Sequence, residues 1–143
     1  MMKYLWTLEP LIIELQMISK LLFLTGFCWG SYVTLRFSTY PQVKAGVSLH
    51  PSHGMVCQMV NQDEEELLKE VKCPQAFLPA SQDGPSTKPG GLGKKVLGDF
   101  LEILEFPDMN HGWSVQGDLS DPKVERDVIK AFNFTLAFFK KYL

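Results

Sequence analysis

Cysteine is scarce in this chain of 143 residues: Cys28, Cys57 and Cys73 are the only three, an odd number at irregular spacing. That excludes a disulfide framework and any CxxC metal pair, and it suits a reducing compartment, the cytoplasm. Net charge is equally slight. Fourteen basic and sixteen acidic residues leave −2, so there is no electrostatic case for a nucleic-acid partner. Long hydrophobic runs are missing too. The apolar stretch from Leu21 to Val33 is too short and too broken by glycine to span a membrane. Glu9 and Glu14 upstream spoil the basic flank that a signal peptide needs. There is no internal repeat and no low-complexity tract, which leaves an ordinary single-domain length with room for a core.

What is present is a turn with chemistry in it. The apolar run Leu21-Leu22-Phe23-Leu24-Thr25 leads into Gly26-Phe27-Cys28-Trp29-Gly30, and a helical segment follows to Tyr40, before Pro41. A strand, then glycine–x–nucleophile–x–glycine, then a helix is the pattern of a nucleophile elbow, with cysteine in place of the usual serine. Such a turn holds its nucleophile in a strained conformation and presses the residues two before and two after it together. An acid and a histidine follow in order. Asp83 lies in Ala80-Ser81-Gln82-Asp83-Gly84-Pro85, after a second strand-like run. His111 lies in Met109-Asn110-His111-Gly112-Trp113, after a third. Nucleophile, acid, base is the chain order of α/β-hydrolases, and each residue sits where a strand ends and a loop begins.

The rest of the chain alternates between strand-like and helix-like segments. Leu11, Ile12, Leu15 and Ile18 suit one face of a short helix over Pro10–Ser19. Strands are expected at Leu21–Thr25, buried on both faces, and at Val43–Leu49, Gln75–Pro79 and Leu101–Phe106. Helices are expected over Tyr32–Tyr40, Gln62–Val71, Lys94–Phe100 and Lys123–Leu143, with an irregular loop over Gly84–Gly93. Strands separated by helices imply right-handed crossovers, hence an α/β fold with a parallel sheet flanked by helices.

Blander roles compete for several residues. Cys57 and Cys73 read as small core hydrophobes. Asp83 could be a turn residue, but its place between Cys28 and His111 favours the site. His50 and His53 flank a proline in a loop near the site; they read as surface residues, with pocket lining as the alternative. Asp63–Glu66 reads as the solvated start of a helix. Val124, Val128, Phe132, Leu136 and Phe139 read as the core face of the last helix. Trp29 and Trp113 flank two site residues, and either wall a substrate pocket or pack. A thiol redox role for Cys28 ranks last, because no resolving cysteine is near in sequence.

On the cysteine elbow, Gln82-Asp83 and His111-Gly112-Trp113, the chain resembles the dienelactone hydrolase family, from about Leu21 to the C-terminus. Gly117-Asp118-Leu119-Ser120-Asp121-Pro122 is similar to the eukaryotic branch, while Ser31 stands where many members have glycine. The resemblance implies a partial α/β-hydrolase fold over 21–143, with residues 1–20 as an unmatched N-terminal segment. It implies hydrolysis of a small ester or lactone through a thioester on Cys28, with His111 as base, Asp83 as its orienting acid and the Trp29 N–H as an oxyanion donor. No metal or organic cofactor is required. The family's elbow comes after several strands, whereas here it comes almost at once. The family's activating glutamate and a second oxyanion donor therefore have no candidate in this sequence. The first strand is expected to leave an open edge, which favours self-association; the alternative to the hydrolase is a non-catalytic fragment that serves as a binding or dimerisation module.

Overall fold

The structure is a computed structural model that describes residues 22–143. The short helix expected over Pro10–Ser19 lies outside the described residues. Four strands form one sheet: β1 (Leu22–Phe27), β2 (Val43–Leu49), β3 (Gln75–Leu78) and β4 (Leu101–Ile103). They lie in the order β1-β2-β3-β4, every neighbouring pair parallel. Parallel pairing brings all four carboxyl ends to one edge, so the loops after the strands are neighbours.

The helices between strands are α1 (Gly30–Phe37), α2 (His53–Met59), α3 (Glu64–Lys69) and α4 (Leu92–Leu97). A short α5 (Trp113–Gln116) and a long α6 (Pro122–Lys140) follow β4. Local chemistry sets their ends. The Asp63 side chain accepts from the Glu66 N–H at 2.9 Å and caps α3. Asp121 accepts from the Lys123 N–H at 2.8 Å, with Pro122 in the first helical turn, and caps α6.

Two apolar layers enclose the sheet. On one face Ala45, Val47, Leu49, Ala76 and Leu78 pack with Phe106, Trp113, Ala131 and Phe138. On the other, Leu35, Leu67, Leu68, Phe77, Leu97 and Leu101 pack with Cys57. Helix α1 sits very close to β1 and β2. A Cβ at Gly26 would strike the Thr34 side chain and the Gly30 backbone, and one at Gly46 would strike Gln75 and Thr34. This close approach fixes the helix that begins just after Cys28.

Several expectations need correction. β1 is not buried on both faces: only Gly26 is buried, and Leu22 and Thr25 are exposed. Among the described residues it pairs with β2 alone. The last strand stops at Ile103, and Phe106 is joined to Ala80 only through an isolated bridge. The supposed irregular loop holds a 3-10 turn at Pro85–Thr87 and already contains the start of α4. Phe132 and Leu136 of the last helix are more than half exposed, so that stripe is only partly core.

Candidate active site

The elbow begins where β1 ends. Cys28 has φ of 55°, a left-handed conformation that a non-glycine residue adopts only when its surroundings hold it there. Here they do so through one carbonyl. Cys28 O accepts from the Ser31 N–H at 3.1 Å, the Ser31 hydroxyl at 2.7 Å and the Ser52 N–H at 3.2 Å. The Cys28 N–H in turn donates to Leu49 O at 3.1 Å. Ser31 is thus more than a small residue tolerated in a glycine position: fully buried, it ties the elbow to the loop after β2. The two glycines are not equivalent. Gly26 has no room for a side chain, whereas a Cβ at Gly30 would meet nothing among the described residues.

Three strand-end loops converge on the sulfur. His111 Nε2 lies 3.0 Å from Cys28 Sγ, and His111 Nδ1 lies 2.6 Å from Asp83 Oδ1. The second carboxylate oxygen of Asp83 accepts from the buried Ala80 N–H at 2.7 Å. With its side chain almost wholly buried, Asp83 has both oxygens committed, so its orientation is set by its own loop. The histidine loop is tied to the acid loop: Ser81 donates from both N–H and hydroxyl to Met109 O, at 3.0 and 2.9 Å. Gly112, at φ 87°, supplies the left-handed step that turns the chain into α5 immediately after His111.

The electrostatics move the thiol and the imidazole toward each other in pKa. Burial works to raise the Cys28 pKa, but hydrogen bonds from His111, Ser52 and the Trp29 backbone outweigh it and hold the thiol below its ordinary value. Burial works to lower the His111 pKa, but Asp83 and then Cys28 outweigh it and hold the imidazole above its ordinary value. Cys57 and Cys73 move the other way, both raised chiefly by burial. The three thiols are all free, yet only at Cys28 do the partners that favour the charged form outweigh burial.

The remaining candidates fall in different places. Trp29 is 65% exposed, and its backbone N–H is among the groups that lower the Cys28 pKa. It also lines an apolar groove with Leu24, Phe27, Val33 and Phe37. Trp113 is buried in the core against Phe106, with ring centroids 4.6 Å apart. It also borders a cavity of about 360 Å³ on the α5 side of His111. A second cavity, of about 300 Å³, opens between Ser52, Met55, Gln82, Asp83 and His111.

The two other histidines are not surface residues: His50 and His53 are completely buried. The His50 ring stands edge-on to His111, 5.1 Å between centroids, and its Nε2 lies 2.7 Å from the Ser114 hydroxyl. Burial, then the charge of His111, pushes its pKa down to about 4, so it is neutral beside His111 at neutral pH. His53 Nε2 contacts Glu64 Oε1 at 3.1 Å, which takes Glu64 out of the solvated acidic helix start. Sequence reasoning did not single out Ser52, although the same topology that joins Cys28, Asp83 and His111 brings the loop after β2 beside the elbow. The described residues contain no cluster of three or more side chains that could hold a metal ion. No helix among them is long and apolar enough to cross a membrane.

A parallel sheet with a strained turn at Cys28, and with Asp83 and His111 on later strand ends, has the arrangement of the α/β-hydrolase fold. Comparison with solved structures agrees. The fold matches Pyrococcus horikoshii acylaminoacyl peptidase with a TM-score of 0.67, over 95% of this chain and 27% of that one, at 19% identity. The chain belongs to the dienelactone hydrolase family, which matches residues 11–143. That range begins inside the segment set apart in the sequence reading. The hydrolase tropI of Talaromyces stipitatus is 28% identical over 127 residues, covering 82% of this chain and 44% of the relative. The uncharacterized AIM2 family protein C977.15 of Schizosaccharomyces pombe is 28% identical over 122 residues, covering 81% and 45%. The chain therefore spans less than half the length of these curated relatives.

Proposed function

We propose that this is a cysteine-dependent hydrolase of small esters or lactones that works through a thioester. The observation that carries the reading is the unbroken chain from Cys28 Sγ through His111 to the buried Asp83, with contacts of 3.0 and 2.6 Å. The thiolate attacks the carbonyl carbon of the substrate, and the displaced electron pair goes to the carbonyl oxygen. Collapse breaks the carbon–oxygen bond to the leaving group, and His111 Nε2 gives that alkoxide its proton. Water then attacks the thioester while His111 takes its proton, the carbon–sulfur bond breaks, and the thiolate returns. Asp83 holds the Nδ1 proton, which keeps Nε2 facing the sulfur and stabilises the imidazolium. The backbone N–H of Trp29, the residue after the nucleophile, is the oxyanion donor in this scheme. A small-molecule ester or lactone is the partner, and the cytoplasm suits the three free thiols.

The test is turnover of small chromogenic esters and lactones. Loss of turnover in Cys28→Ala, with the fold intact, is the expected result; hydrolysis that survives the substitution contradicts it.

A second reading has its own observation. Apolar side chains stand exposed on both sides of β1: Trp29 and Phe37 on the α1 side, Phe132 and Leu136 on the α6 side. A non-catalytic fragment that pairs with a second copy through this edge would cover them. Sedimentation against concentration, with Phe37→Lys and Phe132→Lys as controls, tests this. A monomer at all concentrations removes it.

A further inference from the structure

The loop after β2 carries a group that the Cys28–His111–Asp83 chemistry does not use. The Ser52 hydroxyl lies 3.6 Å from Cys28 Sγ. Among the described residues it has no other hydrogen-bond partner. Its position is fixed by main chain: the Ser52 N–H lies 3.2 Å from Cys28 O and 3.1 Å from the Ser31 hydroxyl, both as acceptors. The backbone that carries the hydroxyl is therefore held beside Cys28 by bonds that do not involve the hydroxyl. It also borders the cavity of about 300 Å³ that His111 and Asp83 line.

We infer that the Ser52 hydroxyl is a dedicated hydrogen-bond donor to the Cys28 thiolate, holding the sulfur's charge with His111 before attack and again as the thioester breaks. The inference rests on Cys28 being the nucleophile. Against a thiol, the S–H belongs to His111 and the serine contact has little to do. Against a thiolate, which only accepts, the hydroxyl must donate. When water has added to the thioester carbon and the carbon–sulfur bond breaks, the electron pair returns to Sγ beside the Ser52 hydrogen. No proton leaves Ser52 at either stage. The direction of the Cys28 shift agrees, since Ser52 is among the groups that lower it.

The signature is a crossing of two pH profiles. A thiolate held less well forms at higher pH, but it is more nucleophilic once formed. With a Brønsted slope of about 0.4–0.5, as in thiol–disulfide exchange, each pH unit of upward displacement lowers the rate below the midpoint roughly threefold and raises the high-pH plateau roughly threefold. A merely structural role for Ser52 would lower both limbs or neither.

The experiment is iodoacetamide alkylation of Cys28 against pH, read by peptide mass spectrometry, in the wild type, Ser52→Ala, Ser52→Thr and His111→Ala. The buried Cys57 and Cys73 report the fold by staying protected. Expected are a higher midpoint, a slower rate below the wild-type midpoint and a faster plateau in Ser52→Ala, with the wild-type profile kept in Ser52→Thr. A Ser52→Ala profile that overlays the wild type, while the wild-type midpoint is low and His111-dependent, overturns the serine's role and leaves the nucleophile standing. A wild-type Cys28 that titrates like a free thiol overturns both. Should Ser52→Ala expose the buried thiols, Ser52→Gly takes its place. Ser52 is the N-cap of α2 and makes no side-chain cap bond there, so glycine is tolerated. The same crossing is required of it, and its absence is fatal to the inference.

Discussion

Replacing Asp83 with asparagine tests the assembled site more sharply than deleting the nucleophile, because the structure dictates which way the amide must point. Asp83 has two partners that both donate: the Ala80 N–H at 2.7 Å and His111 Nδ1–H at 2.6 Å. Asparagine offers only one acceptor oxygen. Ala80 is buried, and turning an NH2 group on its N–H would strand a backbone donor at a cost of about 1–3 kcal/mol. The oxygen therefore stays on Ala80, and the NH2 faces His111 Nδ1. The imidazole then avoids a donor–donor clash by becoming an Nδ1 acceptor with its proton on Nε2. That nitrogen points at Cys28 Sγ and can no longer take a proton. The equivalent tautomer error in a serine triad costs about 10⁴-fold in turnover. A thiol is more acidic than a hydroxyl and needs less help, so a loss of roughly 10³-fold, about 4 kcal/mol of barrier, is expected here. The assay is steady-state hydrolysis of a small ester at saturating substrate, with Cys28 alkylation against pH alongside it. Turnover should collapse and the Cys28 profile should move to higher pH, with little change in thermal melting. Activity within tenfold of wild type, with an unmoved profile, would refute this tautomer reasoning.

Other predictions bear on stability and pH. Gly26→Ala should destabilise by about 1–3 kcal/mol in denaturant melts, because its Cβ strikes the Thr34 side chain and Gly30 backbone. Gly30→Ala should be neutral or stabilising by up to about 1 kcal/mol, because the position is helical and sterically open; an equal loss for both would remove this view of the elbow. His53→Ala should cost about 2–4 kcal/mol, since it opens a cavity beside Phe77 and strips Glu64 of its partner. Glu64 is held below its ordinary pKa, mainly by His53 despite an opposing contribution from burial. A depressed carboxylate adds stability at pH above its unfolded pKa and loses it as pH falls through the folded one. Acid melts should therefore show this loss in the wild type and a flatter dependence in His53→Ala, and parallel curves would contradict it. His111 has the opposite sign: its raised folded pKa favours the fold at pH below the unfolded value, and that contribution fades as pH climbs through the folded one. His111→Ala should narrow the stability gap between pH 5 and pH 9, measured by denaturant midpoint.

Much of the site was legible because its signals are local. Gly26 leaves no room for a side chain beside the turn at Cys28, and Val43–Leu49 is a β-rich run whose observed bounds match those read from sequence. Asp83 and His111 could be placed by order alone, since parallel strands put every following loop on one edge. What the sequence concealed depends on tertiary position. His50-Pro51-Ser52-His53-Gly54 has the composition of a surface loop, yet it follows β2, which is paired on both sides, and so is covered by its neighbours. His53 also opens a helix that has no clear apolar period and contains a glycine. The run Leu22–Thr25 looked like a strand buried on both faces because its residues are apolar, but burial needs neighbours. Among the described residues it has one strand partner. The same cause leaves Phe132 and Leu136 uncovered beside it.

The central claim is that Cys28 is acylated during turnover. A direct measurement is to mix the protein with a small activated ester, quench in acid within the first turnover, and map the acyl group by peptide mass spectrometry. Expected is one acyl group on the peptide that carries Cys28, labile to hydroxylamine, with Cys57 and Cys73 unmodified. His111→Ala should accumulate none at the same time point. Ester hydrolysis with no acyl group on Cys28, or with the group on another side chain, would contradict the claim.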